Sequence, residues 1–383
     1  MPRTNKRPIQ DWDPMPTPFH LAPGQRRCSE PGAVFLTTDG AHTMSHPVMP
    51  VGAQGQTPEV PRSVFITGAN GFIGQALVRR YKALGAEVRG MDLRADDSNA
   101  IVAGNLTQPQ QWAEHARGCE LFINTAAVVS LAAPWRLYRE VSVRGVRNCL
   151  DVAISAGAQR FVQFSSIAAL GWEYPDQADE RCDVVIGDHY RYGVAKGASE
   201  HLVLAAHAAG EIDCTVVRPG DVYGPGSRAW LSEPLKMAQA GALILPNRGE
   251  GRWTPVYIDD LLDGVMLAAG LAQARGQIFH ISASESVSCK AFFSHHWRWA
   301  GRSGAPRSLP LWLAVALTRG LWNFNRLIKR ADEITPDAMY MFSRTGGISI
   351  DKARRLLGYA PKVSLEEGLR RSEAWLRESG QLS

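Results

Sequence analysis

A glycine-rich turn between a β-branched run and an amphipathic stretch constrains this sequence more than any other feature. The run Ser63-Val-Phe-Ile-Thr67 leads into Gly68-Ala-Asn-Gly71-Phe-Ile-Gly74, where glycine recurs at every third residue. In a strand–turn–helix unit, the first glycine permits the tight turn and the second lets backbone N–H groups approach a pyrophosphate. The third allows the helix to pack closely on the strand, and the helix N-terminus favours negative charge. The turn therefore predicts a dinucleotide-binding βα unit.

From residue 63 onward, short apolar runs alternate with helical stretches. Strands are expected at residues 63–67, 87–92, 121–124, 160–165, 213–218 and 277–281, and helices at 72–84, 134–156 and 192–209. Such alternation is typical of βαβ units, and strands that are apolar throughout indicate helices on both faces of a parallel sheet. We predict an α/β fold of the Rossmann type, a doubly wound parallel sheet with a smaller C-terminal substrate-binding region.

Three stretches of different composition divide the chain. Residues 1–61 are rich in Pro, Gly, Thr and Ser and lack sustained periodicity, so we expect a flexible Pro-rich extension. Residues 62–225 contain the expected dinucleotide-binding core. In residues 226–383 the strand–helix rhythm loosens, so this part is expected to be mostly a substrate-binding lid, with one late core strand at 277–281.

Charge and cysteine content narrow the class of protein. The 42 Lys and Arg and 37 Asp and Glu residues give a net charge of +5 that is spread along the chain, so we expect no nucleic-acid partner. The six cysteines lie far apart and show no C-x-x-C spacing, so reduced thiols and no metal site are expected.

The apolar segments are too short to span a membrane. The longest, residues 309–317, has roughly half of the length that a spanning helix needs, but it could lie on a membrane surface. Residues 1–10 are basic and polar, so no secretory signal is expected. We expect a cytoplasmic protein in which residues 309–317 are a candidate for peripheral membrane contact.

Asp92 closes the second expected strand, 24 positions after Gly68. An acidic side chain at this place accepts hydrogen bonds from the adenosine ribose and repels a 2′-phosphate, which favours NAD over NADP. Arg94 lies two residues further on and could pair with such a phosphate, so NADP stays open.

A tyrosine and a lysine at helical spacing are the candidate proton-transfer groups. Tyr192 and Lys196 are four residues apart at the start of an apolar-periodic stretch, which places both on one helix face. A phenol with a pKa of about 10 is a poor base at neutral pH, but a neighbouring ammonium favours the phenolate. Ser165 and Ser166 end the strand expected from residue 160, so a hydroxyl emerges at the carboxyl edge of the sheet, where such folds bind ligands. We assign Ser166 to polarise the substrate oxygen.

In these motifs and their order, the sequence resembles the extended short-chain dehydrogenase/reductase family, within the NAD-dependent epimerase/dehydratase superfamily. The resemblance covers roughly residues 62–378 and includes the glycine turn, the serine pair and the Tyr192/Lys196 pair. It also includes Arg218-Pro-Gly-Asp-Val-Tyr-Gly-Pro-Gly226 and Val256-Tyr-Ile-Asp-Asp260.

The resemblance implies the set of residues that hold the cofactor and perform the reaction. Ser166, Tyr192 and Lys196 are expected to be catalytic, with Lys196 also contacting the nicotinamide ribose. The expected cofactor-binding residues are Gly68, Asn70, Gly71, Phe72, Ile73, Gly74, Asp92, Asn105, Leu106, Thr125, Ala126, Ala127, Tyr192, Lys196, Pro219 and Gly220.

Two positions depart from the family pattern. Asn105, expected beside adenine, replaces the usual Asp, although an amide oxygen can still accept from the adenine amino group. Ser142 stands where the family generally has an Asn that supports the active site, which puts the network behind Tyr192 in doubt.

The later segments are most like the 3β-hydroxysteroid and sterol dehydrogenase branch, because Arg307-Ser-Leu-Pro-Leu-Trp-Leu-Ala-Val-Ala-Leu317 is similar to its apolar helix near the substrate entrance. We therefore favour an oxidoreductase that interconverts a secondary alcohol and a ketone on a lipophilic substrate, either sterol-like or a β-keto lipid. Five tryptophans could either bury the apolar part of a substrate or pack in the protein core: Trp230, Trp297, Trp299, Trp312 and Trp322.

Three alternatives remain open. A nucleotide-sugar epimerase or dehydratase would need basic groups for a second pyrophosphate, and Arg252 and Arg344 are the candidates. The others are another small carbonyl reductase and a dinucleotide-binding protein without turnover. The helices at 134–156 and 192–209 could form a two-fold interface as in the family, so a homodimer is also considered.

Overall fold

Strands and helices alternate along most of the chain. The computed structural model describes residues 49–187, 190–328 and 335–382. The strands are β1 Ser63–Thr67, β2 Glu87–Asp92, β3 Ile101–Ala103, β4 Leu121–Asn124, β5 Arg160–Phe164, β6 Asp213–Pro219, β7 Asp221–Tyr223, β8 Ile244–Pro246, β9 Arg252–Trp253, β10 Pro255–Tyr257, β11 Gln277–Ile281, β12 Val287–Ser288 and β13 Arg307–Leu309.

The helices cover the sheet and build the later part of the chain. They are α1 Phe72–Ala83, α2 Trp135–Leu137, α3 Gly145–Ser155, α4 Arg191–Ala208, α5 Glu233–Gln239, α6 Ile258–Gly270, α7 Cys289–Trp299, α8 Leu311–Leu327, α9 Pro336–Met341, α10 Asp351–Leu357 and α11 Leu365–Glu378. A π-helical stretch, Tyr138–Arg144, joins α2 to α3. None of the helices among the described residues has the length and apolar character that crossing a membrane requires.

The central sheet is parallel throughout. Its strands pair in the order β11-β6-β5-β4-β1-β2-β3. The chain therefore builds outward from β1 in one direction and then, from β4, in the other. The carboxyl ends of β1 and β4 flank the point where the direction reverses, which is where doubly wound sheets bind ligands. The predicted fold class is confirmed.

Alternation of side chains along β1 shows why both faces of the sheet are covered. Val64 and Ile66 enter a core that also contains residues of α1 and α6, whereas Phe65 points to the opposite face. There the Phe65 ring packs on Phe122 and stacks on Trp112, with ring centroids 5.1 Å and 5.9 Å away. A strand that is buried on both faces of the sheet needs apolar residues at nearly every position, as β1 has.

The sequence predicted six of the seven strands of the central sheet. The six expected sheet strands are present, within a residue of the expected ends. It missed β3, whose three residues are too few to show a pattern. The helix predicted at 134–156 is present but is interrupted by the π-helical stretch.

The part of the chain after β6 is only partly separate from the sheet. Short strands pair as β7 with β10, β8 with β13 and β9 with β12, while α5, α7, α8 and α9 surround them. However, α6, β11 and α10 return to the central sheet. The domain boundaries at 61 and 225 stay predictions: residues 1–48 lie outside the described part of the chain, and Pro58 packs against Gly270 of α6.

Replacing Gly74 tests the close packing of α1 on the turn after β1. A Cβ at Gly74 would lie 2.1 Å from the Gly68 carbonyl oxygen, which is backbone and cannot move aside easily. We expect Gly74→Ala to lower the free energy of unfolding by about 1–3 kcal/mol in urea denaturation, as overpacking does. Gln75→Ala, at the exposed neighbouring position, should change it by less than about 0.5 kcal/mol. Equal effects of the two variants would contradict the close-packing explanation.

Candidate active site

The glycine turn after β1 has a backbone that suits only glycine at its first position. Gly68 has a φ of +71°, and the N–H groups of Gly68 and Ala69 donate to the Met91 carbonyl oxygen at 2.8 Å and 3.2 Å. A Cβ at Gly68 would lie 2.7 Å from Thr125 Oγ1. Gly71 directly precedes α1, so the open side of the turn faces the N-terminus of this helix. A bare backbone at a helix N-terminus fits a pyrophosphate group.

Asp92 lies beside this turn at the end of β2. Its carboxylate accepts hydrogen bonds from the backbone N–H groups of Asn70 at 2.9 Å and Leu93 at 2.7 Å. The Asn70 amide in turn donates to the Arg94 carbonyl oxygen at 2.7 Å, and the Arg94 side chain is exposed. The sequence-predicted Asp92 is thus brought to the turn, where its carboxylate is fixed and partly exposed.

The expected adenine-binding residues follow β3. Asn105 Oδ1 accepts from the Thr107 backbone N–H at 2.9 Å and from its hydroxyl at 3.0 Å. Leu106 is buried against Gly145. Because the Asn105 oxygen already accepts two hydrogen bonds, an adenine amino group would have to share or displace one of them. The assignment of Asn105 to adenine stays a prediction.

The remaining expected cofactor residues follow β4 and β6. The Thr125 hydroxyl donates to the Thr67 carbonyl oxygen at 2.7 Å, so the start of the segment 125–127 is held against the glycine turn. Gly220 directly follows β6, and a Cβ there would lie 2.4 Å from both Ser282 Oγ and the Thr254 carbonyl oxygen. These residues and Pro219 therefore lie at the carboxyl edge of the sheet, where the glycine turn also lies.

A chain of buried polar side chains crosses the sheet at this edge. Thr67 Oγ1 donates to Asn124 Oδ1 at 2.5 Å, and Asn124 Nδ2 donates to Gln163 Oε1 at 2.8 Å. Gln163 Nε2 then donates to the Phe164 carbonyl oxygen at 2.9 Å, which also accepts from Lys196 Nζ at 2.9 Å. We call Thr67, Asn124 and Gln163 the polar ladder. It connects the strand before the glycine turn to the predicted catalytic lysine, and sequence patterns gave no sign of it.

Lys196 is held by a carbonyl group rather than by a carboxylate. The residue is 4% exposed, and no ion pair to its ammonium is found among the described residues. Burial lowers its pKa to about 8, although Glu200, one helical turn further along, acts in the opposite direction. The ammonium lies 5.8 Å from the centroid of the Tyr192 ring. The predicted Tyr/Lys pair is therefore brought together on α4.

Ser166 and Tyr192 meet above the end of β5. Ser166 caps a short 3₁₀ turn, Ile167–Leu170, and its oxygen accepts from the Ala168 N–H at 3.1 Å. Burial raises the pKa of Tyr192 to about 12, whereas the nearby Ser166 hydroxyl lowers it and the Asp221 charge raises it. The lowering of this pKa by Lys196 that the sequence led us to expect is not found, so the phenol is protonated at neutral pH in the free protein.

Ser165 has a different partner from Ser166. Its hydroxyl donates to Glu200, whose carboxylate also forms two hydrogen bonds with the Arg218 guanidinium at 2.8 Å and 2.7 Å. Glu200 and Arg218 are both about 2% exposed. Burial and Arg218 lower the pKa of the adjoining His280 to about 3, so this imidazole is neutral. The structure therefore leaves Ser166, and not Ser165, available to a substrate.

Aromatic rings surround Tyr192. The rings of Tyr138 and Tyr190 each lie 6.4 Å from it, and Trp172 lies 3.9 Å from Tyr190, measured between centroids. Sequence reasoning missed these residues because no spacing links them to Tyr192.

The predicted tryptophans are placed differently. Trp297 is buried and donates to the Ser303 carbonyl oxygen, whereas Trp312 is 71% exposed on α8. Trp230 packs on Trp253, and Trp299 donates to Glu373. Core packing is therefore the correct explanation for at least Trp297.

Ser142 lies in the π-helical stretch and is buried. Its oxygen accepts from the Val128 N–H at 3.3 Å. The serine thus holds the segment after β4, next to the predicted residues 125–127.

Asp221 and Arg344 form a buried ion pair close to Tyr192. Arg344 Nη2 lies 2.6 Å from Asp221 Oδ2, which also accepts from the Thr254 N–H at 3.1 Å. Burial raises the pKa of Asp221, while Arg344 beside it acts in the opposite direction. The guanidinium also lies over the Trp253 ring, 5.2 Å from its centroid. Arg344, predicted as a candidate pyrophosphate ligand, is therefore neutralised inside the protein, whereas Arg252 is exposed.

Burial of Lys196 predicts a distinctive dependence of stability on pH. The folded protein releases this proton near pH 8, whereas the unfolded chain keeps it until near the ordinary value of 10.5. Between these values the unfolded state holds more protons, so the lysine's contribution to the free energy of unfolding rises with pH. We expect urea denaturation to show that, in this pH window, the free energy of unfolding of wild type increases relative to that of Lys196→Met by up to about 1.4 kcal/mol per pH unit. A difference that stays flat or falls would contradict the burial of a charged ammonium.

Comparisons with known proteins agree on the family. Residues 64–282, which are more than half of the chain, match the profile of the NAD dependent epimerase/dehydratase family. A 4-hydroxy-2-methyl-3-oxo-4-farnesyl-3,4-dihydroquinoline-1-oxide ketoreductase of Stigmatella aurantiaca is 26% identical, with 80% of this chain and 94% of the relative covered. A 3 beta-hydroxysteroid dehydrogenase/Delta 5-->4-isomerase of Mycobacterium tuberculosis is 26% identical, with coverage of 83% and 91%.

Solved structures show the same fold. The UDP-glucose 4-epimerase of Thermotoga maritima, determined with UDP-glucose, superposes with a TM-score of 0.66 at 21% identity, covering 83% of this chain and 99% of that chain. The predicted dinucleotide cofactor and the predicted enzyme class are confirmed by the family match. From the glycine turn to the last sheet strand, the chain belongs to the NAD dependent epimerase/dehydratase family.

Proposed function

We propose that the protein is an NAD(P)-dependent oxidoreductase that interconverts a secondary alcohol and a ketone on a lipophilic substrate. The observation that carries this proposal is the meeting of Ser166, Tyr192 and Lys196 at the carboxyl edge of the sheet, beside the glycine turn. The three groups come from the end of β5 and the first turns of α4. A hydroxyl, a phenol and an ammonium in one place suit proton transfer to and from a substrate oxygen.

Each side chain has a separate task. The Ser166 hydroxyl donates to the substrate oxygen and fixes its position. Tyr192 Oη transfers the proton, giving it to the oxygen of a ketone that is being reduced or taking it from an alcohol. Lys196, anchored on the Phe164 carbonyl oxygen, places a positive charge beside the Tyr192 ring and favours the phenolate once the proton has left. When bound, the nicotinamide cofactor supplies the hydride donor or acceptor.

The protonated form of Tyr192 is the form that reduction of a ketone uses. With its pKa raised to about 12, the phenol carries its proton at neutral pH and can donate it without prior activation. Oxidation of an alcohol would first require that this proton be lost. A ketone oxygen that gains negative charge during reduction would therefore meet two hydroxyl donors, Ser166 and Tyr192.

The surroundings of Asp92 favour NAD as the cofactor. Both of its oxygens already accept backbone hydrogen bonds, so the carboxylate is held in place beside the glycine turn. A 2′-phosphate would bring a second negative charge towards it. Arg94 is exposed and could offset only part of this repulsion, so NADP is the weaker candidate.

Two features support a lipophilic substrate. The residues packed with Tyr192 are largely apolar or aromatic and include Val128, Ala133 and Tyr138. The buried Arg344 guanidinium is paired with Asp221 and is not available for the pyrophosphate of a nucleotide sugar. The ketoreductase and steroid dehydrogenase similarities agree with this substrate class, whereas the likeness to the UDP-glucose epimerase structure concerns the fold. The homodimer through helices at 134–156 and 192–209 stays a prediction.

Removing one hydroxyl tests the role of Tyr192. We expect Tyr192→Phe to lower kcat by about 100- to 10,000-fold, because proton transfer is lost, while the affinity for NAD measured by calorimetry is unchanged. Tyr190→Phe removes a phenol hydroxyl from the neighbouring ring and should leave kcat within a few-fold of wild type. Normal turnover by Tyr192→Phe would show that the proton takes another route.

A substrate panel tests the substrate class. With NADH, we expect oxidation of the cofactor in the presence of an apolar 3-oxosteroid or a β-keto lipid ester and no conversion of UDP-glucose to UDP-galactose. Ser166→Ala should abolish the ketone-dependent reaction, which excludes a contaminating reductase. Epimerisation of UDP-glucose by wild type would favour nucleotide-sugar chemistry over the proposed class.

A further inference from the structure

Helix α8 exposes an apolar surface to solvent. Its residues Ala314 and Val315 pack on Met339 of α9. Six large apolar residues of this helix and its C-terminal end expose half or more of their surface: Trp312, Leu317, Leu321, Phe324, Leu327 and Ile328. We call these six residues the α8 apolar face.

The α8 apolar face is continuous because of its spacing. Leu317, Leu321, Phe324 and Ile328 follow each other at intervals of four, three and four residues, which places them in one row along the helix. Leu327 and Trp312 extend this row sideways around the exposed side. Scattered apolar residues need no explanation, but a contiguous row marks a surface that binds something.

Charge indicates what the partner is. Residues 311–328 contain two arginines and no acidic residue. Arg319 and Arg326 follow Trp312 at intervals of seven residues, so these three residues share the edge of the exposed side that lies away from the Leu317 to Ile328 row. Neither arginine forms an ion pair with a described residue. A second copy of this helix packed by two-fold symmetry would place the same arginines at the contact without acidic partners. An anionic lipid surface offers both apolar and negative groups.

We propose that α8 lies flat on a membrane surface that contains anionic lipids. The α8 apolar face enters the boundary between headgroups and acyl chains, and Arg319 and Arg326 contact lipid phosphates along one edge. The helix is too short and too charged to span, so the association is peripheral. The proposed contact runs from Trp312 to Ile328, so it overlaps the residues 309–317 expected from the sequence and continues beyond them.

The position of α8 connects the proposed membrane contact to the candidate active site. Helix α9, which packs on α8, ends at Met341, whose carbonyl oxygen accepts a hydrogen bond from Arg344 Nε at 3.1 Å. Arg344 in turn pairs with Asp221, close to Tyr192. A membrane-bound α8 would therefore hold the candidate site close to a lipid phase. The proposal does not depend on the proposed function, since it rests on the exposed helix alone.

Vesicle co-sedimentation tests the proposal without cofactor or substrate. We expect wild type to sediment with vesicles of phosphatidylcholine and phosphatidylserine, more weakly with phosphatidylcholine alone, and less as salt is raised. Arg319→Gln with Arg326→Gln should weaken binding to the anionic vesicles by about 5-fold per residue. Leu321→Gln with Phe324→Gln should weaken it by about 10-fold per residue on both vesicle types.

Matched variants separate the local effect from general ones. Arg79→Gln with Arg355→Gln makes the same change in net charge at exposed sites elsewhere. Val51→Gln removes an apolar side chain that is 61% exposed outside the α8 apolar face. Both controls should bind vesicles like wild type. Because all substituted side chains are exposed, circular dichroism should show folded protein throughout.

Two outcomes would overturn the proposal. One is vesicle binding by wild type that is equally strong in the α8 variants and the controls. The other is absence of vesicle binding together with a change from dimer to monomer in Leu321→Gln with Phe324→Gln, measured by sedimentation velocity without lipid. The second outcome would show that another copy of this chain covers the α8 apolar face. Neither outcome would affect the role proposed for Tyr192.

Discussion

The hydrogen bond that anchors the buried Lys196 ammonium on the Phe164 carbonyl oxygen is the interaction around which the site is organised. A charge removed from water must be hydrogen-bonded, and here a main-chain oxygen at the end of a central strand serves this need. That oxygen is itself held by Gln163, the last member of the polar ladder. The position of the ammonium therefore depends on side chains from three parallel strands, β1, β4 and β5, and any shift between these strands would move it.

The pairing of Glu200 with Arg218 explains why Lys196 can stay without a carboxylate. Glu200 lies one turn after the lysine on α4 and would be its natural partner. Its two oxygens are instead taken by the Arg218 guanidinium, with the Ser165 hydroxyl on one of them. Lys196 therefore keeps a pKa near 8, and its ammonium is bonded to the Phe164 carbonyl oxygen rather than to a carboxylate. The same pairing distinguishes the two serines. The Ser165 hydroxyl is bound to Glu200, whereas the Ser166 hydroxyl stays available to a substrate.

The sequence predicted the parts of the site that depend on local spacing. The glycine turn, Asp92 and the Tyr192/Lys196 pair each lie within one strand–turn–helix unit or one helix, so the residue types and their intervals indicate the geometry. Asn124 and Gln163 were missed because the role of a polar residue within an apolar strand becomes apparent only when its hydrogen-bond partner on the neighbouring strand is known. Asp221 and Arg344 are 123 residues apart, so only the tertiary fold reveals that they neutralise each other. The π-helical interruption of the helix predicted at 134–156 was missed for a different reason, since a stretch of seven residues is too short to show a change of apolar period.

Arg344 shows how one ion pair limits the chemistry that a shared fold can support. A protein named as a ketoreductase is similar to this chain in sequence, and a protein named as an epimerase shares its fold, so the fold does not decide the substrate. A basic group buried beside Tyr192 would suit a phosphorylated substrate if it were free. With Asp221 on it, a pyrophosphate would have to displace a carboxylate that is already desolvated, and it would meet that carboxylate's negative charge. An apolar ketone would meet no such opposition. It needs only a surface of matching shape beside Asp221 and Arg344, and the hydroxyls of Ser166 and Tyr192 for its oxygen.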